Sequence, residues 1–177
     1  MKIRPVILCG GAGTRLWLNS KKPQVKQFID FGHWTLFSKT LERIKSSIFD
    51  TPIISTNKDY LNQVKKHLKK AKISKYKIIL EPLKKDTAPA ILSTCLISDI
   101  PTNQTIMFFS ADHLIEKMNI FNKAINNNKE YLTDQNIFIF GIKPKSPSSE
   151  YGYFLTKKDG SNLNKVIKFI EKPKKDK

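Results

Sequence analysis

Gly10, Gly11 and Gly13, three of the chain's seven glycines, fall within four positions and run directly into Thr14 and Arg15. Residues without a Cβ let backbone amides come close to a phosphate, and a helical turn behind them would aim further N–H groups at the anion. Arg15 is one of three arginines, with Arg4 and Arg43, and its planar guanidinium is a fixed fork of donors suited to phosphate oxygens. Two familiar phosphate motifs do not fit. A Walker A loop needs Gly-Lys-Ser/Thr where Gly13 is followed by Thr14-Arg15, and a dinucleotide fingerprint needs a glycine where Leu16 stands. A tight turn that needs glycine only for its conformation is the competing reading of this loop.

A loop of this kind must be carried by a strand and a helix, and the chain supplies the pattern. Residues 3–9, 52–56, 76–80, 105–110 and 137–142 are short β-branched or aromatic runs, apolar enough for strands covered on both faces. Between them, 58–71 places Tyr60, Leu61, Val64, Leu68 and Ala71 on one helical face, with Asn57 as N-cap. A helix is expected over 87–100, capped by Asp86 or Thr87 with Pro89 in its first turn, and others around 35–48 and 119–132. The alternation predicts an α/β fold, a Rossmann-like, doubly wound and mostly parallel sheet. After residue 142 the texture changes to a proline-bearing loop and two strand-like runs ending in lysines.

Length and composition set the bounds. A chain of 177 residues with 40% hydrophobic content and 11 Phe reads as one globular domain, 1–177. Residues 1–142 form the nucleotide-side βα core of that reading and 143–177 begin a second part. No apolar run approaches a membrane span, and the N-terminus enters its glycine turn too early for a secretory signal, so a cytoplasmic protein without a membrane partner is expected. Cys9 and Cys95 lack metal-ligand spacing and read as buried free thiols. The net charge of +17 is spread along the chain without a nucleic-acid module, so no nucleic-acid partner is expected. His33 and His67 carry no signal, and His67 is expected on a helix surface.

Six stretches occur in order: "GGAGTRLW" (10–17), "VKQF" (25–28), "EPLKKDTAPAI" (81–91), "SADH" (110–113), "EYGYF" (150–154) and "FIEKP" (169–173). Together they resemble the sugar-nucleotide pyrophosphorylases, and within them the mannose-1-phosphate guanylyltransferases, over nearly the whole chain. The resemblance implies GTP and mannose 1-phosphate as substrates, GDP-mannose and pyrophosphate as products, and Mg²⁺ as cofactor. It implies that Gly10, Gly11, Gly13 and Thr14 wrap the nucleotide, that Arg15 steadies the departing pyrophosphate, and that Lys26 lies near the phosphates being joined. Glu81, Asp86 and Thr87 match a segment that holds the base and shapes the pocket. Gly141, Gly152, Glu171 and Lys172 match the sugar side, where Glu171 would accept from hydroxyls and Lys172 neutralise the sugar phosphate. A strand-end Glu171–Lys172 ion pair is the plainer reading.

Asp112 follows the apolar run "IMFFS" and would emerge at a strand end. Mg²⁺ prefers one or two carboxylates plus substrate phosphate oxygens, so a lone aspartate suits it; the alternative is an N-cap of the next helix. His113 reads equally as structural or as a ligand. Three departures from the family pattern stand out: Val25 replaces a proline, "LNSKKPQ" displaces the usual spacing after Trp17, and Lys84, Lys85 and Asp86 stand for Gly, Arg and Asn. The resemblance further implies a second metal-site aspartate and a closing sheet and helix beyond residue 177. The chain is therefore expected to be incomplete at its C-terminal end, with a complementing chain or a second copy as the partners open to it.

Overall fold

A computed structural model describes residues 2–11, 25–83, 85–96, 99–133, 135–158 and 163–173. Gly13, Thr14, Arg15 and Lys84 lie outside the described residues. The backbone divides into two compact units, Met1–Gln135 and Asn136–Lys177.

In the first unit four strands, β1 (Arg4–Leu8), β2 (Ile53–Thr56), β3 (Lys77–Leu80) and β4 (Ile106–Ser110), form one sheet in the order β3-β2-β1-β4, with all three pairings parallel. The registers Leu8↔Ser55, Leu8↔Ser110 and Thr56↔Leu80 bring the C-terminal ends of all four to one edge. The helices are α1 (Leu36–Arg43), α2 (Leu61–Lys70), α3 (Thr87–Cys95) and α4 (Met118–Asn126). Phe37 and Leu41 of α1, Val64 and Leu68 of α2, and Phe121 and Ile125 of α4 share one core with Ile7, Ile54 and Phe109 of the strands. Side chains alternate across a strand, so Val6, fully buried beside Ile7, belongs to the opposite face, where α3 packs on β1.

Local chemistry sets the helix ends. Thr35 and Ser38 exchange backbone and side-chain hydrogen bonds of 2.9 and 3.0 Å in a capping box that starts α1. Asn57, the expected N-cap of α2, lies one turn too early: the N-cap is Tyr60, and Asn57 Oδ1 accepts from Tyr60 N at 3.3 Å, capping the turn that leads into the helix. Asp86 does occupy the N-cap of α3, but its side chain makes no capping bond and its φ is +62°.

Three expectations are corrected. Residues 137–142 form no strand, and Ile137 and Ile142 are 93% and 91% exposed. Apolarity states what prefers burial, whereas a strand also needs a neighbour for its N–H and C=O groups. Cys95 is exposed near the end of α3, because that helix buries only Ala90 and Thr94. His67 is half-buried, its ring 5.4 Å from that of Phe28 and 5.6 Å from that of Phe37.

The second unit is an antiparallel hairpin of β5 (Gly152–Lys158) and β6 (Asn164–Glu171) with a register shift at Leu155/Thr156. The Phe154 and Phe169 rings lie 5.2 Å apart. Tyr153 Oη accepts from Ser148 N at 2.8 Å and donates to Ser148 O at 2.9 Å, closing the turn before the hairpin.

Candidate functional site

Gly10, Asn57, Glu81 and Asp112 all stand one or two residues past the ends of parallel strands, at the edge where open α/β sheets hold ligands. The pairing runs past the strands themselves: Cys9 N donates to Ser55 O at 2.7 Å, Glu81 N to Thr56 O at 2.7 Å, and Ala111 N to Leu8 O at 3.1 Å.

The beginning of the glycine loop is held from below. Thr56 Oγ1 donates to Cys9 O at 3.2 Å, Asn57 Nδ2 to Gly10 O at 3.0 Å, and Gln27 Nε2 to Gly11 O at 3.2 Å. All three donors belong to buried residues. A Cβ on Gly10 would lie 2.8 Å from Glu81 Oε1 and 2.9 Å from Oε2, so a side chain there requires the Glu81 carboxylate to move. Ser55 Oγ holds that carboxylate with a 2.7 Å bond to Oε1.

Lys26 opens a 3₁₀ turn, Lys26–Phe28, fixed on two sides. Gln27 is tied to the glycine loop, and Phe28 meets Phe37 at 5.5 Å and Tyr60 at 6.0 Å between ring centroids. From this base Lys26 Nζ donates to Asp112 Oδ2 at 2.9 Å. Ser110 Oγ donates to the other oxygen, Asp112 Oδ1. Burial alone would push the Asp112 carboxyl up, but the Ser110 and Lys26 hydrogen bonds and the nearby ammonium outweigh it and hold the carboxyl below its usual range. Asp112 does not cap α4, whose N-cap is Lys117. The backbone just beyond is pinned by Arg43, a buried guanidinium whose Nη2 donates to His113 O at 2.8 Å while its carbon lies 5.9 Å from the Phe109 ring centroid. His113 itself is exposed, and its described role is this backbone contact.

The other expected residues are distributed more loosely. Asp86 and Thr87 are exposed at the start of α3. In the second unit Gly141 lies outside any strand, with open space where a Cβ would be. Gly152 pairs with Glu171, and a Cβ on it would collide with the Phe169 ring and lie 2.8 Å from Glu171 Oε2. Glu171 and Lys172 approach to 4.0 Å, both largely exposed. Lys172 takes φ +42°, and its N–H donates to Tyr151 O at 3.1 Å.

Cys9 supplies no nucleophile: burial pushes its thiol up to about 12, partly offset by the Gln27 hydrogen bond. Among the described residues no three His, Cys, Asp or Glu side chains gather into a closed metal cage. One ionised, half-buried carboxylate at a strand end nevertheless fits the donor set Mg²⁺ takes from a protein when phosphate oxygens complete its shell.

Residues 4–177, which carry this edge, match a family model described as nucleotidyl transferase. The chain belongs to the nucleotidyl transferase family. Within known members it is 33% identical over 174 residues to the alginate biosynthesis protein AlgA of Pseudomonas fluorescens, covering 96% of this chain and 36% of that protein. It is also 33% identical over 179 residues to a mannose-1-phosphate guanylyltransferase of Salmonella montevideo, covering 97% and 38%. The chain thus spans little more than a third of the length of these relatives. Among solved structures, one described as mannose-1-phosphate geranyltransferase from Thermus thermophilus superposes with a TM-score of 0.80 at 24% identity, covering 98% of this chain and 51% of that one, and supports the fold.

Several residues at this edge escaped the sequence reading. Ser55, Thr56 and Ser110 are ordinary strand residues in sequence, and Arg43 reads as a helix cation. Gln27 lies inside the "VKQF" stretch and Asn57 directly after a strand, so position was the available signal for both.

Proposed function

We propose that the chain carries the nucleotide side of a transferase that joins GTP and mannose 1-phosphate into GDP-mannose and pyrophosphate, with Mg²⁺. The observation that carries this reading is the Lys26–Asp112 pair, 2.9 Å apart and anchored through Gln27 to the glycine turn. A cation and an ionised carboxylate at the same strand-end edge as the glycine turn support the reading.

The sugar phosphate has a second pKa near ~6 and is a ready dianionic nucleophile at neutral pH, so no general base is required. Its oxygen forms a bond to the α-phosphorus of GTP while the bond to pyrophosphate breaks. The demands on the protein are in-line placement and neutralisation of charge. Gly10 and Gly11 offer amides to the triphosphate, Lys26 offers its ammonium to the reacting phosphates, and Arg15 steadies the leaving pyrophosphate. Glu81, Asp86 and Thr87 border the base, with Gly13 and Thr14 continuing the loop. Gly141, Gly152, Glu171 and Lys172 belong to the sugar side. Mg²⁺ held by Asp112 would supply charge neutralisation on the phosphate oxygens.

A second reading is nucleotide binding without transfer; the chain spans 36% of the length of its AlgA relative. Pyrophosphate release is measured with each nucleoside triphosphate paired with mannose 1-phosphate or glucose 1-phosphate. Selective release with GTP and mannose 1-phosphate supports the first reading, and GTP binding without release supports the second. Release with another pair alone would refute the assigned substrates.

A further inference from the structure

The three side chains beneath the glycine turn grip three successive carbonyls, those of Cys9, Gly10 and Gly11. In a trans peptide the C=O and the following N–H point in opposite directions within one plane. Holding Cys9 O inward therefore turns the Gly10 N–H outward, and holding Gly10 O inward does the same for the Gly11 N–H. Neither N–H has an acceptor among the described residues. Thr56 and Asn57 are 0% and 6% exposed, so their polar groups had to be satisfied internally, and the turn's carbonyls are the partners they found.

We propose that Thr56 and Asn57 are positioning residues that pre-orient the Gly10 and Gly11 amides toward the nucleotide's phosphates. This rests on the nucleotide reading above and deepens it. Glycine's freedom would otherwise let these peptide planes rotate, and the entropy of fixing them would fall on binding. The clasp acts on phosphate contacts alone, which separates it from a general role in stability.

Asn57 has two bonds that can be split. Its Oδ1 accepts from Tyr60 N, and its Nδ2 donates to Gly10 O. In Asn57→Ser the hydroxyl can still cap the turn but is too short to reach the loop. Thr56→Val keeps the side chain's shape and neutrality while deleting the donor to Cys9 O. The test is binding of GTP by calorimetry and of guanosine by saturation-transfer NMR, in the 177-residue chain and both variants, with thermal melts alongside. We expect GTP to bind about tenfold more weakly in each variant, with guanosine affinity and melting temperature nearly unchanged. Wild-type GTP affinity in both variants, or equal losses for GTP and guanosine, would overturn the clasp. If the wild-type chain binds neither ligand, the nucleotide reading itself fails and this proposal with it.

Discussion

Asp112 concentrates the electrostatics of the strand-end edge in one carboxylate. Both of its oxygens are taken, one by Ser110 and one by Lys26, and its folded pKa is depressed below the unfolded value of about 3.9 despite burial acting the other way. A group shifted in that direction contributes stability that is fully present above the unfolded value and lost as pH falls through the folded one. Asp112→Asn should therefore lower stability at neutral pH by about 1–2 kcal/mol, in line with a lost charge-assisted hydrogen bond. Melting curves of wild type and variant should converge as pH drops below ~4; a gap that stays constant to acid pH would contradict the assignment. Asp112 was legible in sequence because an aspartate at the end of an apolar run stands out, whereas Lys26 was named only through the family resemblance. Their contact was not legible, since 86 positions separate them and only the 3₁₀ turn and the parallel register bring them together.

At the scale of elements, the four parallel strands were readable as apolar runs because both faces of the sheet demand apolar side chains. Helix α2 was readable for a similar reason: its buried residues Val64 and Leu68 repeat at helical spacing. The same logic misjudged α3, whose composition is apolar although only Ala90 and Thr94 are buried. Composition reports affinity for a covered surface, and how much cover a helix receives depends on its neighbours. The two helices should respond differently to truncation. Leu68→Ala removes a fully buried side chain and should cost about 2–5 kcal/mol, whereas Leu92→Ala, at a position 59% exposed, should fall within about 0.5 kcal/mol of wild type. Urea unfolding of both variants measures the contrast, and equal losses would mean that α3 is packed more deeply than described.

For the whole molecule, the chain divides at Gln135/Asn136, short of the change in texture read after residue 142. The segment 137–142 accounts for the difference, because it is strand-like in composition and forms no strand in the structure. Exposed segments outside helices and strands are where proteases cut first. Thermolysin, which cuts before large apolar residues, should release early fragments ending at 136 or 141, ahead of Ile137 and Ile142; mass spectrometry that finds this stretch intact while α1 is cut would reverse the order of stability. No helix among the described residues is long and apolar enough to cross a membrane. The two cysteines carry a practical consequence. Cys95 is open to solvent, while Cys9 lies under the glycine turn with its thiol pushed up to about 12. A maleimide dye at neutral pH should write a single label per molecule, on Cys95, and a second label appearing over time would be a clock for the opening of β1 and the loop it carries.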